Sequence, residues 1–353
     1  MSTATPPVAQ SARWPRQVQI VATGRCVPER EVDNAALEAI TGRVFHDWLV
    51  KNTGIEARRW MRDDQVGSDL GYIAAQQALA RAGIGAQDVD LIIVATDTPD
   101  QPSPGTSSAL QGKLGAVRAG TFDVNCACAG FVTALDTGAR FLATDDRLQN
   151  VLVVGIYGMS RFLDLADKAT STLFADGAGA VLLRASEATG YLAGARFADG
   201  QYADALGIFG GGTALPSTAA NLAAHGAPSV RFVRKLPATF NLERWPALAR
   251  EAAEAAAISL DDVQLFVFTQ LNKRTIEAVM AELGQPMEKA HTIMERWGYT
   301  GSACIPMCLD DAALRGRLRP GDRVLLCASG GGVAMAAAVF VWTAGAYADA
   351  TPE

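Results

Sequence analysis

Histidine is nearly missing from this chain: 353 residues contain three, His46, His225 and His291. None stands beside an evident nucleophile, so each is expected to be structural or on the surface. Long apolar runs are missing too. The most apolar stretches, such as Val333 to Val341, are interrupted or too short to span a bilayer, which argues against a membrane protein. No stripe of Lys and Arg with interleaved aromatics occurs, and a net charge of -6 with a pI near 5.2 argues against nucleic acid as a partner. Local basic residues remain free to meet an anionic ligand. No secretory leader precedes the six unevenly spaced cysteines, which therefore read as free thiols in a reducing compartment, with the cytoplasm expected. Residues 1–17, polar and Pro-bearing, are expected to form a disordered arm.

Hydrophobic residues make up 49% of the chain and charged residues 19%, enough to bury one large core or two medium ones. Short β-branched runs alternate with longer Ala-rich stretches: VQIVATG, a helix near Asp69 to Ala82, LIIVATDT, a helix from Phe131 to Leu142, NVLVVGIY and AGAVLLR. That alternation predicts an α/β layered fold with mostly parallel, buried strands. A second series follows after about Ala188: YLAGARF, a helix Trp245 to Ala257, LFVFTQ, a helix Arg274 to Leu283, a strand near HTIMER, a helix Ile305 to Arg315, VLLCAS and VAMAAAVFVW. The division is therefore an N-terminal half over 18–187 and a C-terminal half over 188–353. Gly207 to Pro228, rich in Gly, Ala and Ser, reads as a long surface loop near a site.

Cys128 carries the chemistry. The β-rich lead GTFDVN delivers the chain to a turn, and Gly130 with the amphipathic run that follows carries it away as a helix. A thiol there sits at the positive end of a helix dipole, where unpaired N–H groups favour thiolate. Cys126 is a neighbour without a second ligand cluster, so no metal site is expected.

The run DVNCACAGFVTAL resembles the active-site segment of the ketoacyl synthase III branch of the thiolase superfamily, in which Ala-Gly-Phe directly follows the nucleophile. Further segments fall in family order from Val18 to Trp342: WLVKNTGIEARR, LIIVATDTPDQPSPGTSSALQGKLGA, SRFLDLADKATSTLFADGAGAVLL, FGGGT and CASGGGVAM. The resemblance implies a duplicated α/β/α/β/α five-layer fold and a homodimer. It implies acyl carrier protein or coenzyme A thioesters as substrates, with no metal or redox cofactor. Trp48 and Arg161 match the pair that sandwiches adenine, a task suited to an aromatic and a guanidinium. Thr53, Asn272 and Arg274 match contacts to the tunnel mouth, the pantetheine arm and the phosphate end, while Asn52 replaces an Arg of the family. Ser103 matches a position that reaches into the partner's acyl tunnel. Backbone N–H groups of Cys128 and Gly331 match the oxyanion hole.

The departures fall on the catalytic partners. The family's His-Gln-Ala-Asn reads Thr269-Gln270-Leu271-Asn272 here, and Tyr-Gly-Asn-Thr-Ser reads Trp297-Gly298-Tyr299-Thr300-Gly301. Losing one oxyanion donor typically costs about 2.7–4 kcal/mol, so decarboxylative condensation with both replaced is expected to be very slow. The sequence therefore reads as an acyltransferase: Cys128 takes an acyl group from a thioester and passes it to an O, N or S acceptor, with Thr269 and Tyr299 as candidate partners. Tyr299 has a second reading, as a plug for volume vacated by the missing imidazole. A carbon–carbon condensing enzyme and a non-catalytic partner subunit are the alternatives.

Overall fold

The structure, a computed structural model, describes residues 14–235, 237 and 239–345. Its strands in chain order are β1 (Gln17–Cys26), β2 (Arg30–Asp33), β3 (Ala57–Trp60), β4 (Leu91–Ala95), β5 (Gly120–Val124), β6 (Asn150–Gly158), β7 (Asp176–Ser186), β8 (Tyr191–Ala198), β9 (Leu206–Ile208), β10 (Val230–Phe232), β11 (Leu265–Phe268), β12 (Arg323–Gly330) and β13 (Ala334–Val341). Two sheets dominate, ordered β1-β7-β6-β4-β5 and β11-β12-β13-β8, while β2-β3 and β9-β10 are small separate pairs.

Between the sheets lie the helices Gly130–Thr144 and Cys304–Leu314, buried along most of their length. A helix with apolar residues on every side has to be covered on every side, and the two sheets do that. Gly67–Ala82 and Thr106–Leu114 cover the outer face of the first sheet, and Phe240–Ala255 with Lys273–Glu282 cover that of the second. The result is the five-layer α/β/α/β/α arrangement of the thiolase-like fold.

The topology repeats. In the first sheet β1-β7 and β7-β6 are antiparallel and β6-β4 parallel; in the second, β8-β13 and β13-β12 are antiparallel and β12-β11 parallel. The sheets are thus mixed, not mostly parallel as expected. In the second sheet, Gly331–Val333 is the whole connection from β12 to β13, too short for the crossover that a parallel pair requires.

Three other expectations shift. The strand expected near HTIMER is reduced to a single parallel bridge, Phe266 to Ala290, followed by the short helix Met294–Trp297. The Gln270 side chain takes the Ile293 N–H at 2.8 Å, satisfying a donor that a strand would have given to a neighbour. The helix expected from Trp245 begins at Phe240, whose ring is buried and meets Tyr202 edge-on. The loop Gly207–Pro228 contains the end of β9 and a short helix, Ala219–His225.

Of the expected N-terminal arm, residues 1–13 lie outside the described residues. Trp14 packs on Tyr191 and donates its indole N–H to the Leu192 carbonyl, and Arg16 donates to the carbonyls of Asp145 and Leu148, so the chain is docked from Trp14 onward. Among the described residues no helix is long and apolar enough to cross a membrane.

Candidate active site

Cys128 lies just past the C-terminal end of β5, on a turn between that strand and the helix Gly130–Thr144. Asp123 anchors the strand end by accepting the N–H groups of Thr106 and Ser107 at 2.7 and 2.8 Å. The Asn125 side chain accepts the Ala127 N–H at 3.1 Å, and Ala127 takes a positive φ of 47°. This is an uncommon conformation for a residue with a Cβ, and it turns the thiol away from the strand line. All six cysteines are free thiols.

The turn after β12 closes on Cys128 from the opposite half. A Cβ at Gly330 would stand 2.5 Å from the Cys126 carbonyl oxygen and 2.7 Å from the Cys128 nitrogen. Glycine is therefore what allows the two backbones to approach. Gly331 follows and lines a cavity with Cys128, and Gly332 takes a φ of 71°.

Cys128 is shared by two cavities. One, about 90 Å³, is bounded by Thr269, Leu271 and Tyr299 with Trp245, Phe240 and the glycine turn. The other, about 310 Å³, is bounded by Asp97, Asn125 and Tyr157 with Phe174, Met159 and the β9 segment Leu206–Phe209. The second is of the size of a small-molecule site. The first is too small for more than a slender arm. Tyr157, Phe174 and Tyr299 form an aromatic wall, with ring centroids 6.3 and 5.5 Å apart along the row.

Burial pushes the Cys128 thiol well above its ordinary pKa, and the Asp97 carboxylate adds to the shift. The neighbouring Tyr299 hydroxyl works in the opposite direction and lowers it. Burial thus works against the thiolate that the helix N-terminus favours, and the helix proper begins two residues later. Burial likewise raises Tyr299 well above 10, so its phenol is neutral and donates.

Thr269 and Tyr299 line the smaller cavity together with Cys128, and each is held differently. The Thr269 hydroxyl accepts the Ser329 N–H at 2.9 Å and leans on the Ser329 carbonyl at 3.5 Å, so it is engaged with the end of β12. Tyr299 is tied by backbone to the strand lead before β7, its N–H reaching the Leu173 carbonyl and its carbonyl accepting from Ala175.

The expected carrier-binding residues gather elsewhere. Trp48, 55% exposed, stands on the helix His46–Thr53 with Lys168 Nζ 5.1 Å from its ring centroid. Arg161 is not at that ring; it donates to the carbonyls of Arg62 and Gln65 and pairs with Asp63 at 3.3 Å. Thr53 is buried, its hydroxyl bonded to the Leu49 carbonyl at 2.7 Å. Asn272 caps the helix Lys273–Glu282 by accepting the Thr275 N–H, and Arg274 reaches Asn52 Oδ1 at 3.5 Å. Asn52, Thr53, Asn272 and Arg274 are therefore brought together where the two helices meet. Ser103 is exposed on the loop after β4 and lines neither cavity of its own chain.

His46 is hydrogen-bonded to Asn34, and His225 ends a short exposed helix. His291 is buried against Asp311 at 2.8 Å. None lines either cavity.

Sequence reasoning passed over Asp97. It sits two residues past the end of β4, and its Oδ1 is buried without a hydrogen-bond partner. The available signal was a carboxylate directly after an unbroken buried strand, LIIVA, in the strand next to the one that delivers Cys128.

Residues 122–200 match the family model for 3-oxoacyl-[acyl-carrier-protein] synthase III, and residues 253–342 match the model for its C-terminal part. The β-ketoacyl-[acyl-carrier-protein] synthase III of Rhodopirellula baltica is 39% identical over 349 residues, spanning 92% of this chain and 98% of that protein. The synthase III structure from Thermus thermophilus superposes with a TM-score of 0.83 at 34% identity, over 93% of this chain and all of that one. The priming β-ketosynthase of the R1128 polyketide biosynthetic pathway gives 0.84 at 29% identity, over 96% and 99% of the two chains.

Proposed function

Because this chain belongs to the 3-oxoacyl-[acyl-carrier-protein] synthase III family, we propose that it is an acyltransferase that has kept the acylation half of the family's reaction and changed the other half. An acyl thioester, borne by carrier protein or coenzyme A, is attacked by Cys128. The sulfur–carbonyl bond to the carrier breaks, and an acyl-Cys128 forms. N–H groups of Cys128 and Gly331 are proposed to hold the thioester oxygen during the exchange. The acyl group then passes to an O, N or S acceptor.

The observation that carries this reading is the state of the two replaced partners. Decarboxylation of a malonyl extender leaves an enolate whose oxygen needs donors held toward it. The Thr269 hydroxyl is engaged with the Ser329 backbone, and Tyr299 is a buried, neutral phenol that borders the same cavity as Cys128. One backbone-held hydroxyl and one phenol are thus what Thr269 and Tyr299 present to the cavity of about 90 Å³ where an extender would lie. An amine or alcohol held at the acyl-thioester needs no such enolate stabilisation.

Residues 18–187 would supply the nucleophile and residues 188–353 the facing wall of the site. Carrier recognition is assigned to Trp48, Thr53, Asn272 and Arg274, with Arg161 turning to the adenine when coenzyme A is bound and Lys168 adding positive charge beside Trp48. A homodimer would place the exposed Ser103 at the partner's acyl tunnel.

Intact-protein mass spectrometry after exposure to acetyl-, butyryl- and octanoyl-thioesters of coenzyme A and of carrier protein tests this. The expected result is a single acyl adduct in the native chain and none in Cys128→Ala. Malonyl carrier protein added to the acylated enzyme should release little carbon dioxide; rapid release would refute the changed second half.

A further inference from the structure

A transfer to O–H or N–H has to dispose of a proton, and the site as read from the family offers no place for it. Among the residues lining the two cavities, Tyr157 and Tyr299 are phenols raised well above 10 by burial, and Cys128 is the group being acylated. No histidine is present there. The one carboxylate is Asp97.

Its placement is set by the sheet. Ala95 of β4 pairs with Val124 of β5 on one side and Gly155 of β6 on the other. Asp97, Cys128 and Tyr157 therefore emerge from the C-terminal ends of three adjacent strands, about 4.8 Å apart, where open α/β sheets place their ligands. Thr96 and Thr98 peg the residue from both sides: the Thr96 N–H donates to the Val124 carbonyl at 3.2 Å, and the Thr98 hydroxyl accepts the Gly158 N–H at 2.9 Å. Between these pegs the Asp97 carboxylate borders the cavity it shares with Cys128, and its buried Oδ1 has no partner. An unpaired buried carboxylate oxygen costs stability unless something fills its lone pairs, so a fixed one beside a nucleophile marks a place where a proton arrives during turnover.

We propose that Asp97 is the proton acceptor of the transfer half-reaction, and that the acceptor substrate is an O–H or N–H compound entering the Asp97 cavity. The inference rests on the acyl-Cys128 reading above. As the acceptor heteroatom bonds to the acyl carbonyl carbon, its proton passes to the Asp97 carboxylate. The carbon–sulfur bond then breaks, and Cys128 leaves as a thiolate that receives the Tyr299 hydrogen bond. The proton returns from Asp97 to the sulfur, which restores the resting thiol and carboxylate.

Burial raises the Asp97 carboxyl to about 6, so the competent, ionised form accumulates as pH rises through that value. The titratable groups interacting with it are Cys128 and Tyr157, which in turn interact with Tyr299, Cys304 and Asp176; none of them carries positive charge.

The test isolates acyl-Cys128 enzyme, native and Asp97→Asn, after prolonged incubation with an acyl-coenzyme A. Discharge to water and to hydroxylamine is then followed by mass spectrometry between pH 5 and 8.5. Water needs a base, whereas hydroxylamine attacks a thioester without one. Native hydrolysis should climb through an apparent pKa near 6, and Asp97→Asn should lower it by roughly 10²–10⁴-fold, the usual reach of a general base, while hydroxylamine discharge changes less than about tenfold. Hydrolysis unaltered by the substitution, a flat native profile, or equal slowing with both nucleophiles would each overturn the proposal. If no adduct forms on the native enzyme, the acyl-Cys128 reading fails and this one falls with it; an adduct with unaltered discharge removes this one alone.

Discussion

At Tyr299 the question is whether the buried phenol serves chemistry or volume. The ring fills space beside Phe174, and the hydroxyl lowers the Cys128 thiol against the effect of burial, so both readings have a physical basis. Tyr299→Phe separates them because it keeps the volume and deletes the donor. A hydrogen bond to a charged sulfur is worth about 1.5–3 kcal/mol, so acylation of Cys128 should slow by roughly ten- to a hundredfold with little change in stability. An unchanged acylation rate would leave Tyr299 as packing alone. Thr269 shows what residue-level reading could not reach. Its place at the end of the apolar run LFVF was legible, but its engagement with Ser329 depends on where β12 ends beside it. Asp97 shows the converse case: its chemistry was in plain view, and only the strand register placed it next to Cys128.

At the scale of elements, the site is a meeting of two turns, one after β5 and one after β12. The glycine run was legible as a turn, and its reason lies across the molecule: the Cys126 carbonyl and Cys128 nitrogen stand where the Gly330 Cβ would be. Gly330→Ala should cost about 1–3 kcal/mol of stability, as overpacking does, and slow acylation by roughly a hundredfold through displacement of Cys128. Gly212→Ala, where a Cβ meets nothing within 4 Å, should do neither. Urea melts and adduct formation for the two variants check this; equal behaviour would mean that the turn yields freely. The helices Gly67–Ala82, Gly130–Thr144 and Lys273–Glu282 fell where apolar periodicity put them, because each packs an apolar face on a sheet. The strand expected near HTIMER did not form, because a side chain, Gln270, supplied the hydrogen bond that a neighbouring strand needs.

At the scale of the whole molecule, the halves are joined by charge as well as by apolar packing. From one helix wedged between the sheets, Asp310 reaches across to Arg25 at 2.6 Å and Arg81 at 2.5 Å, while Asp311 binds His291, Arg296 and Arg315 of its own half at 2.7–2.9 Å. Burial works against the Asp311 charge, yet the His291 hydrogen bond and the Arg296 guanidinium hold its carboxyl well below the ordinary range. A carboxyl depressed in the folded state stabilises above its unfolded pKa, about 3.9, and that contribution is lost as pH falls toward the folded value. Asp311→Asn should therefore cost about 3–5 kcal/mol at pH 7, with the gap to the native chain narrowing below about pH 4. Urea midpoints across pH 3–7 check it, and a gap constant with pH would contradict it. By itself the sequence determined the α/β layering and the family, and it pointed to Cys128 as the candidate nucleophile, because strand and helix periodicity and a contiguous motif are local properties of the chain. Only the tertiary structure decided that Cys128 is buried, that the Thr269 hydroxyl is held by the Ser329 backbone, and that Asp97 and Tyr299 border the cavities onto which Cys128 opens. Burial and juxtaposition arise from strands far apart in sequence lying side by side, and no local pattern encodes them.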